Sequence, residues 1–284
     1  MCEVDIGDSM GRGRKPDIPI KVKNEIKESI KKSMEEIARF DFVKYVIDET
    51  KRFENKKQTW ELLAEVASLN CVKDMKLDNI QDLDFSEDAK DLIKCWGGKD
   101  EYQDPDASSI FLYLAWGKFL VRKGILNDFK IVSINYSFAL QGKYKNEGDA
   151  KEILLASDGI SMKNICANNY EKGVYKKLGG FLIWPRHEKI TINQKKGIML
   201  GDSIEKVIKK LSDFYTNHDM SFVDCQIDID WLTYIGNLKK EKNEYDSFMW
   251  CFQLENLEFD SHGIFTKDFI EKRNRDMCDI INKV

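Results

Sequence analysis

Apolar residues recur every three or four positions in the first part of the chain, and this spacing predicts amphipathic helices. Three such helices are predicted between residues 20 and 72, and Thr59 can cap the third of them. Their inward-facing residues are Val22, Ile26, Ile30, Met34, Ile37, Phe42, Val43, Val46, Ile47, Phe53, Trp60, Leu63, Val66 and Ala67. A shorter helix is predicted from Ser86 to Trp96, where a glycine pair stops it. The pattern therefore predicts a helical region or arm over residues 19–96, after a flexible terminus over residues 1–18.

In the second part of the chain, apolar residues alternate with polar ones or form short continuous runs. An apolar helix capped by Ser108 precedes the alternating segment Lys130–Leu140, which is typical of a half-buried strand. Helices are also predicted over residues 203–215 and, capped by Thr266, near the C-terminus. Further strands are predicted at Ile153–Ala156, Phe181–Trp184, Ile190–Ile192 and Phe248–Leu254. This order predicts an α+β fold, in which the helical region precedes a mixed domain over residues 97–284 with a mainly antiparallel sheet flanked by helices.

The segment Gly179–Gly197 carries the strongest local pattern. Two apolar runs flank a turn at Pro185–Lys189, a glycine pair precedes them, and a lysine pair with Gly197 follows them. Because glycine lets another backbone approach closely, we interpret this segment as a buried hairpin or a pair of core strands. The residues predicted to be buried in it are Phe181, Ile183 and Ile192.

The order of motifs around this segment resembles that of an uncharacterised family of bacterial and phage proteins. The resemblance covers roughly residues 98–282 and implies an arrangement of strands and helices without an assigned chemistry. This chain departs from the family pattern at Asp202–Glu205, where members carry two basic residues and an Asp. The shared features are the glycine pair, the strand ending in Pro185, the Lys-Ile-Thr-Ile-Asn strand, Asp104-Pro105-Asp106, Ser109, Leu154–Asp158, Phe214-Tyr215 and Phe269–Arg275.

The net charge of −4 is distributed unevenly along the chain. Residues 74–106 carry eleven acids and four bases, residues 172–210 carry ten bases and three acids, and residues 219–284 carry fourteen acids and eight bases. The acidic segments can neutralise the basic block, or the block can face outward toward an acidic protein surface or phosphates. The predicted partner-binding residues in this block are Arg186, His187, Lys189, Lys195 and Lys196. The overall acidity argues against nucleic-acid binding as a general function, because attraction to phosphates scales with the number of basic contacts.

No motif predicts catalysis, a metal or a cofactor. The three histidines are isolated, and the three aspartates between residues 224 and 230 lack the glycine and the terminal glutamate of a calcium loop. Seven widely spread cysteines form no Cys-x-x-Cys pair, so they are interpreted as reduced thiols in a cytoplasm. No apolar run reaches the length of a membrane span, and the first residues lack the pattern of a signal peptide.

Aromatic residues make up 11% of the chain, and together with the opposed charge blocks they predict a protein-binding module, with self-association as a further option. In general character and size the chain resembles the Gabija anti-defence group of phage proteins, whose members bind and enclose a host nuclease complex. That resemblance implies a non-catalytic inhibitor in the host cytoplasm. The alternatives are an uncharacterised enzyme with a site near Arg186, His187, Lys195 and Lys196, or a nucleotide- or nucleic-acid-binding protein that uses residues 172–210.

Overall fold

The structure, a computed structural model, describes residues 17–34, 41–53, 56–77, 79–95, 108–134, 136–159, 176–186, 204–221, 223, 225–259, 261, 263 and 265–283. Its helices are α1 (Ile20–Met34), α2 (Phe42–Thr50), α3 (Lys56–Ala67), α4 (Asn70–Lys73), α5 (Ser86–Cys95), α6 (Ile110–Arg122), α7 (Ile204–Asn217), α8 (Gln226–Gly236), α9 (Glu244–Cys251) and α10 (Lys267–Asn282). Its strands are β1 (Asp128–Ile134), β2 (Ser137–Asn146), β3 (Asp149–Gly159) and β4 (Phe181–Pro185). The fold is α+β, as predicted, with N-terminal helices before an antiparallel sheet.

The four strands form one sheet in the order β1-β2-β3-β4, and every neighbouring pair is antiparallel. The predicted strand Lys130–Leu140 is in fact parts of two strands, because the chain reverses at Tyr136, whose φ is 61°. The alternation of apolar and polar residues continues through this turn, so the pattern did not reveal the reversal. The predicted pairing of Ile153–Ala156 with the preceding strand is confirmed, since Leu155 lies opposite Leu140.

Helices cover the face of the sheet that carries Phe129 and Phe138, and at the β4 edge residues of both faces are buried. Gly117 of α6 lies so close to the ring of Phe129 that an added Cβ would be 2.3 Å from it. The Trp60 ring of α3 lies 4.4 Å from that of Phe138, between ring centroids. The Ser68 hydroxyl exchanges hydrogen bonds with both backbone groups of Ile131, at 2.8 and 3.2 Å. These bonds occupy part of the outer edge of β1, where an unpaired strand would otherwise recruit other chains.

The N-terminal helices and the mixed region share one cluster of buried apolar side chains, which extends from Ile18 to Ile281. The domain boundary near residue 96 stays a prediction. None of the described helices is both long and apolar enough to cross a membrane.

Several predicted helix boundaries differ from the structure by a few residues. Ser109, rather than Ser108, caps α6 and accepts a hydrogen bond from the Leu112 N–H. Thr59 lies inside α3, where its buried hydroxyl donates to the Thr50 hydroxyl at 3.1 Å, so it is not a cap. Thr266 caps α10 as predicted and accepts from the Phe269 N–H at 3.3 Å.

The predicted strand Phe248–Leu254 is wrong, because residues Glu244–Cys251 form helix α9. Asn243 caps this helix by accepting a hydrogen bond from the Asp246 N–H at 2.8 Å. Residues Ser247–Met249 and Cys251 of the C-terminal half are buried, and the continuous apolar run begins there, at Phe248. A short helix that is covered on most sides gives the same pattern as a buried strand, and periodicity alone does not distinguish them.

The start of β4 meets α10 in close backbone contact, and we call this contact the β4–α10 junction. A Cβ added to Gly179 would lie 2.6 Å from the Ile270 carbonyl oxygen and 2.7 Å from the Asn274 nitrogen. The Asn274 side chain accepts from the Gly179 N–H at 3.0 Å and donates to the Gln81 carbonyl at 2.9 Å. The interpretation of this glycine as a site of close backbone approach is therefore confirmed.

Arg273 is the buried cation of the junction, with 2% of its surface exposed. Its guanidinium donates to the carbonyls of Phe252 at 3.0 Å, of Phe181 at 2.8 Å and of Gly179, and it lies 5.8 Å from the ring centroid of Trp116. Burial lowers the pKa of Arg273 to about 9, so the group is still charged at neutral pH. Three carbonyl dipoles and an aromatic face thus replace much of its lost hydration.

The burial predicted for Phe181 and Ile183 is confirmed, since neither side chain has measurable exposed surface. The predicted strand Ile190–Ile192 lies outside the described residues.

Candidate functional site

Of the predicted partner-binding residues, Arg186 is the one that lies within the described residues. Its guanidinium donates to the Ser137 hydroxyl at 3.0 Å and to the Phe138 carbonyl at 3.4 Å, and its backbone N–H donates to the Leu154 carbonyl at 2.7 Å. Arg186 therefore ties the end of β4 to the start of β2. The other four residues are outside the described part of the chain, and their role stays a prediction: His187, Lys189, Lys195 and Lys196.

The first described lysines of the basic block are neutralised by the acidic segment that precedes it in the sequence. Lys176 lies 3.7 Å from the carboxylate of Asp84 and donates to the Ser86 hydroxyl at 3.1 Å. Lys177 lies 3.8 Å from the carboxylate of Asp82. For these two lysines, internal pairing is the alternative that the structure shows.

A positively charged cleft lies instead in the C-terminal region, and we call it the lysine cleft. It has a volume of about 660 Å³ and is formed by the ends of α7 and α8, the loop between α8 and α9, and the start of α9. A cleft of this size is within the range of ~300–1,000 Å³ that binding pockets occupy. Its lining residues are Tyr215, Thr216, Gly236, Asn237, Lys239, Lys240, Lys242, Asn243, Glu244 and Tyr245.

Close helix packing positions the walls of the lysine cleft. A Cβ added to Gly236 would lie 2.9 Å from the Tyr215 ring and 3.0 Å from the Glu244 Cβ, so glycine lets α7, α8 and α9 converge. The Tyr215 hydroxyl donates to the Leu232 carbonyl at 2.8 Å, and burial raises the pKa of this phenol well above its usual value. Tyr215 is therefore a fixed, neutral wall of the cleft.

The three lysines of the cleft are held to different degrees. Lys239 lies 3.1 Å from the carboxylate of Glu241, and Lys242 lies 2.9 Å from that of Glu255. Lys240 is exposed and makes no ion pair with any residue that the structure describes. Because Glu244 is the one acid in the lining, the wall itself is net positive. This arrangement can accept a carboxylate or a phosphate.

A second cavity, of about 210 Å³, lies in the N-terminal half, and we call it the carboxylate pocket. Three of its five acids, Asp41, Asp84 and Asp88, accept hydrogen bonds from backbone N–H groups at helix starts. Asp88 accepts from the Ser109 hydroxyl at 2.7 Å and from the Ile110 and Phe111 N–H groups at 2.8 and 3.3 Å, at the start of α6. The full lining is Asp41, Val43, Leu83, Asp84, Phe85, Glu87, Asp88, Asp91 and Phe111.

Burial dominates the ionisation of Asp88 despite these hydrogen bonds. It raises the pKa of the carboxyl to about 7, while the bonds from Ser109, Phe111 and Ile110 act in the opposite direction. Two further acids of the pocket are also occupied, since Asp41 caps α2 and Asp84 accepts from the Ser86 N–H at 2.9 Å. The carboxylate pocket is therefore mainly a structural feature.

Metal-binding groups are not seen in the described ranges: no cluster there of three or more His, Cys, Asp or Glu side chains could hold an ion. Comparisons with protein-family models, with curated proteins and with solved structures found no match for this chain.

Sequence reasoning missed the lysine cleft because it averaged charge over long segments. Lys239, Lys240 and Lys242 lie within residues 219–284, which are acidic as a whole. A shorter window would have identified the run Lys-Lys-Glu-Lys-Asn between two helices as a local basic loop. The convergence of Tyr215 and Tyr245 on that loop depends on tertiary packing and has no local signal.

Proposed function

We propose that this protein is a non-catalytic protein-binding module that holds an acidic segment of a partner in the lysine cleft. The observation that carries this proposal is the combination, in one cleft, of Lys239, Lys240 and Lys242 with the rings of Tyr215 and Tyr245. Tyrosine supplies rigid contact area at binding hot spots, and lysines supply charge complementarity that speeds association.

The resemblance to the Gabija anti-defence group extends the proposal to a particular partner. In this form, the chain is a phage protein that acts in the host cytoplasm by binding and inhibiting a bacterial immune complex that contains a nuclease. The partner surface then presents carboxylates to the cleft. A second proposed contact, which is positively charged like the lysine cleft, consists of Arg186, His187, Lys189, Lys195 and Lys196.

The test compares two triple variants that remove the same charge from different places. Lys239→Gln/Lys240→Gln/Lys242→Gln neutralises the cleft, and Lys130→Gln/Lys143→Gln/Lys145→Gln neutralises the exposed lysines of β1 and β2. Binding to a purified Gabija-type nuclease complex is measured between ~50 and ~300 mM salt, a range over which long-range attraction is screened. We expect the cleft variant to lose roughly tenfold or more in association rate, and the strand variant to stay near wild type.

Equal losses in both variants, or no loss in either, would contradict the use of the cleft. If wild type does not bind the Gabija-type complex, capture from bacterial lysate followed by mass spectrometry is repeated with the same pair of variants. A partner that is lost with the cleft variant and kept with the strand variant supports the general proposal without the particular partner.

The second candidate function is nucleotide or nucleic-acid binding, and the lysine cleft offers one observation in its favour. Three lysines beside the N-terminus of α9 suit phosphate groups, although Glu244 and Asp246 already place negative charge in the first turn of that helix. Titration with ATP and with random-sequence duplex DNA separates the two functions. Binding of either ligand that disappears in the cleft variant would favour this alternative.

A further inference from the structure

Two glutamates that are not part of the lining of the lysine cleft hold the ammonium groups of two lysines that line it. Lys239 lies 3.1 Å from the carboxylate of Glu241, which belongs to the same loop between α8 and α9. Lys242 donates to the carboxylate of Glu255 at 2.9 Å, just after the end of α9. Each pair neutralises one positive charge of the cleft, whereas Lys240 makes no ion pair with a described residue.

Contacts outside the cleft direct both paired lysines away from its open space. The Nζ of Lys239 lies 4.4 Å from the ring centroid of Trp250, a residue of α9 that does not line the cleft, and Glu241 pairs with the same ammonium. The hydrogen bond to Glu255 raises the pKa of the Lys242 amine, and the charge of Glu255 acts in the same direction. Both ammonium groups therefore already have an anionic partner within the chain.

These pairs can exchange for the carboxylate of another molecule because they lie near the surface. The side chains of Lys239 and Lys242 keep 32% and 33% of their surface exposed, and those of Glu241 and Glu255 keep 66% and 40%. Ion pairs of such exposure contribute little to stability, so replacing either glutamate costs little. The flexible stem of lysine lets its ammonium move from the internal partner to an external one.

We propose that Glu241 and Glu255 are autoinhibitory residues of the lysine cleft, which compete with the acidic segment of a partner for Lys239 and Lys242. This inference rests on the proposed binding function. A partner carboxylate contacts either lysine only by displacing the internal glutamate, so the free cleft presents the charge of Lys240 first. The two glutamates thus weaken the binding of sparsely charged surfaces and favour segments that carry several carboxylates close together.

The first measurement uses a fluorescently labelled hexaglutamate peptide as the acidic probe and follows its binding to the full chain by fluorescence anisotropy. Glu241→Gln/Glu255→Gln frees both lysines and should bind the peptide roughly five- to tenfold more tightly than wild type at ~50 mM salt. Glu25→Gln/Glu28→Gln is the matched control, because it removes the same charge and also breaks two lysine ion pairs, on α1. Its affinity should stay within about twofold of wild type. An equal gain in this control overturns the proposal.

The second measurement separates competition for a lysine from a general change in charge. In the Lys242→Gln background, Glu255→Gln removes a charge but frees no lysine. Competition therefore predicts that Glu255→Gln changes the affinity for the peptide in the wild-type background and leaves it unchanged in the Lys242→Gln background. Long-range attraction predicts the same gain in both backgrounds, and that result overturns the proposal.

The same assay distinguishes a failure of this inference from a failure of the proposed function. Equal affinity of wild type and Glu241→Gln/Glu255→Gln overturns the autoinhibition and leaves the cleft as a binding site. Absence of binding in every form, or binding that persists in Lys239→Gln/Lys240→Gln/Lys242→Gln, overturns both, because the cleft then does not hold an acidic segment. Binding in Glu241→Gln/Glu255→Gln but not in wild type supports the autoinhibition.

Discussion

The β4–α10 junction and the lysine cleft both contain charged side chains, but they use them in opposite ways. At the junction, Arg273 is almost fully buried and directs its donors to main-chain carbonyls of two segments far apart in sequence. In the cleft, Lys240 is exposed and Lys239 and Lys242 make ion pairs near the surface. The junction charge holds the fold together, whereas the cleft charge is accessible to another molecule.

The comparison shows that hydrogen-bond partners, rather than charge alone, distinguish a structural group from a candidate binding group. The carboxylate pocket illustrates this point. Its five acids resemble a binding site in composition, yet Asp88, Asp84 and Asp41 are engaged with backbone N–H groups at helix starts. By this criterion the carboxylate pocket is a structural feature, like the β4–α10 junction.

The largest effect is expected from Gly179→Ala, which tests the junction directly. The added Cβ would meet backbone atoms of α10 at 2.6–2.8 Å, and backbone atoms cannot rotate away, so we expect a loss of about 3 kcal/mol in the free energy of unfolding. Gly148→Ala is the control. Its φ of 100° strains alanine, but no atom lies within 4 Å of the added Cβ, so this variant measures backbone strain without a steric clash. Urea unfolding followed by tryptophan fluorescence gives both values. Equal losses in the two variants would break the comparison.

An intermediate effect is expected from pH, through Asp88 in the carboxylate pocket. Its pKa is about 7 in the folded protein and about 3.9 in an unfolded chain, so the folded state retains the proton between these values. The contribution of Asp88 to the free energy of unfolding should therefore be fully present below about pH 4 and should be lost as pH rises from about 4 to about 7. Because Asp88 is half-buried and solvent screens part of the effect, we expect the free energy of unfolding to fall by about 1–2 kcal/mol over this range.

Asp88→Asn is the control for this pH dependence, since it keeps the shape and one acceptor but does not ionise. Urea unfolding midpoints from pH 5 to pH 8 should lose most of their slope in this variant. A slope equal to that of wild type would assign the pH dependence to other groups.

The smallest effect on stability is expected in the lysine cleft. Lys239→Gln/Lys240→Gln/Lys242→Gln removes two partly exposed ion pairs and the contact of Lys239 with Trp250. Such pairs contribute about 0–1 kcal/mol each, so we expect the free energy of unfolding to fall by roughly 1 kcal/mol or less. The same urea experiment checks this value. A loss as large as that of Gly179→Ala would show that the cleft lysines are structural, and the contrast with the junction would fail.

The fold class was predictable from sequence because most of its elements have one apolar side. Periodicity identified the amphipathic α7 and α10, and the continuous apolar run Phe181–Trp184 identified the buried Phe181 and Ile183 of β4. The same rule misassigned α9, whose residues are buried on most sides, and it did not find the reversal at Tyr136. The alternating pattern continues through that reversal and carries no information about where the chain turns.

The sequence by itself determined the α+β order and the burial of Phe181 and Ile183, and its glycine pair indicated a close backbone approach, whose partner in α10 only the tertiary structure shows. These follow from local apolar patterning and from the steric freedom of glycine, which act over a few residues. Only the tertiary structure decided which charges are neutralised and which are accessible. Lys176 and Lys177 are paired with Asp84 and Asp82, and Lys239 and Lys242 with Glu241 and Glu255. Lys240, in the cleft that two tyrosines also line, is exposed and makes no ion pair with a described residue. Ion pairing and desolvation depend on distances in space between residues remote in sequence, and those distances are set by packing of the whole core.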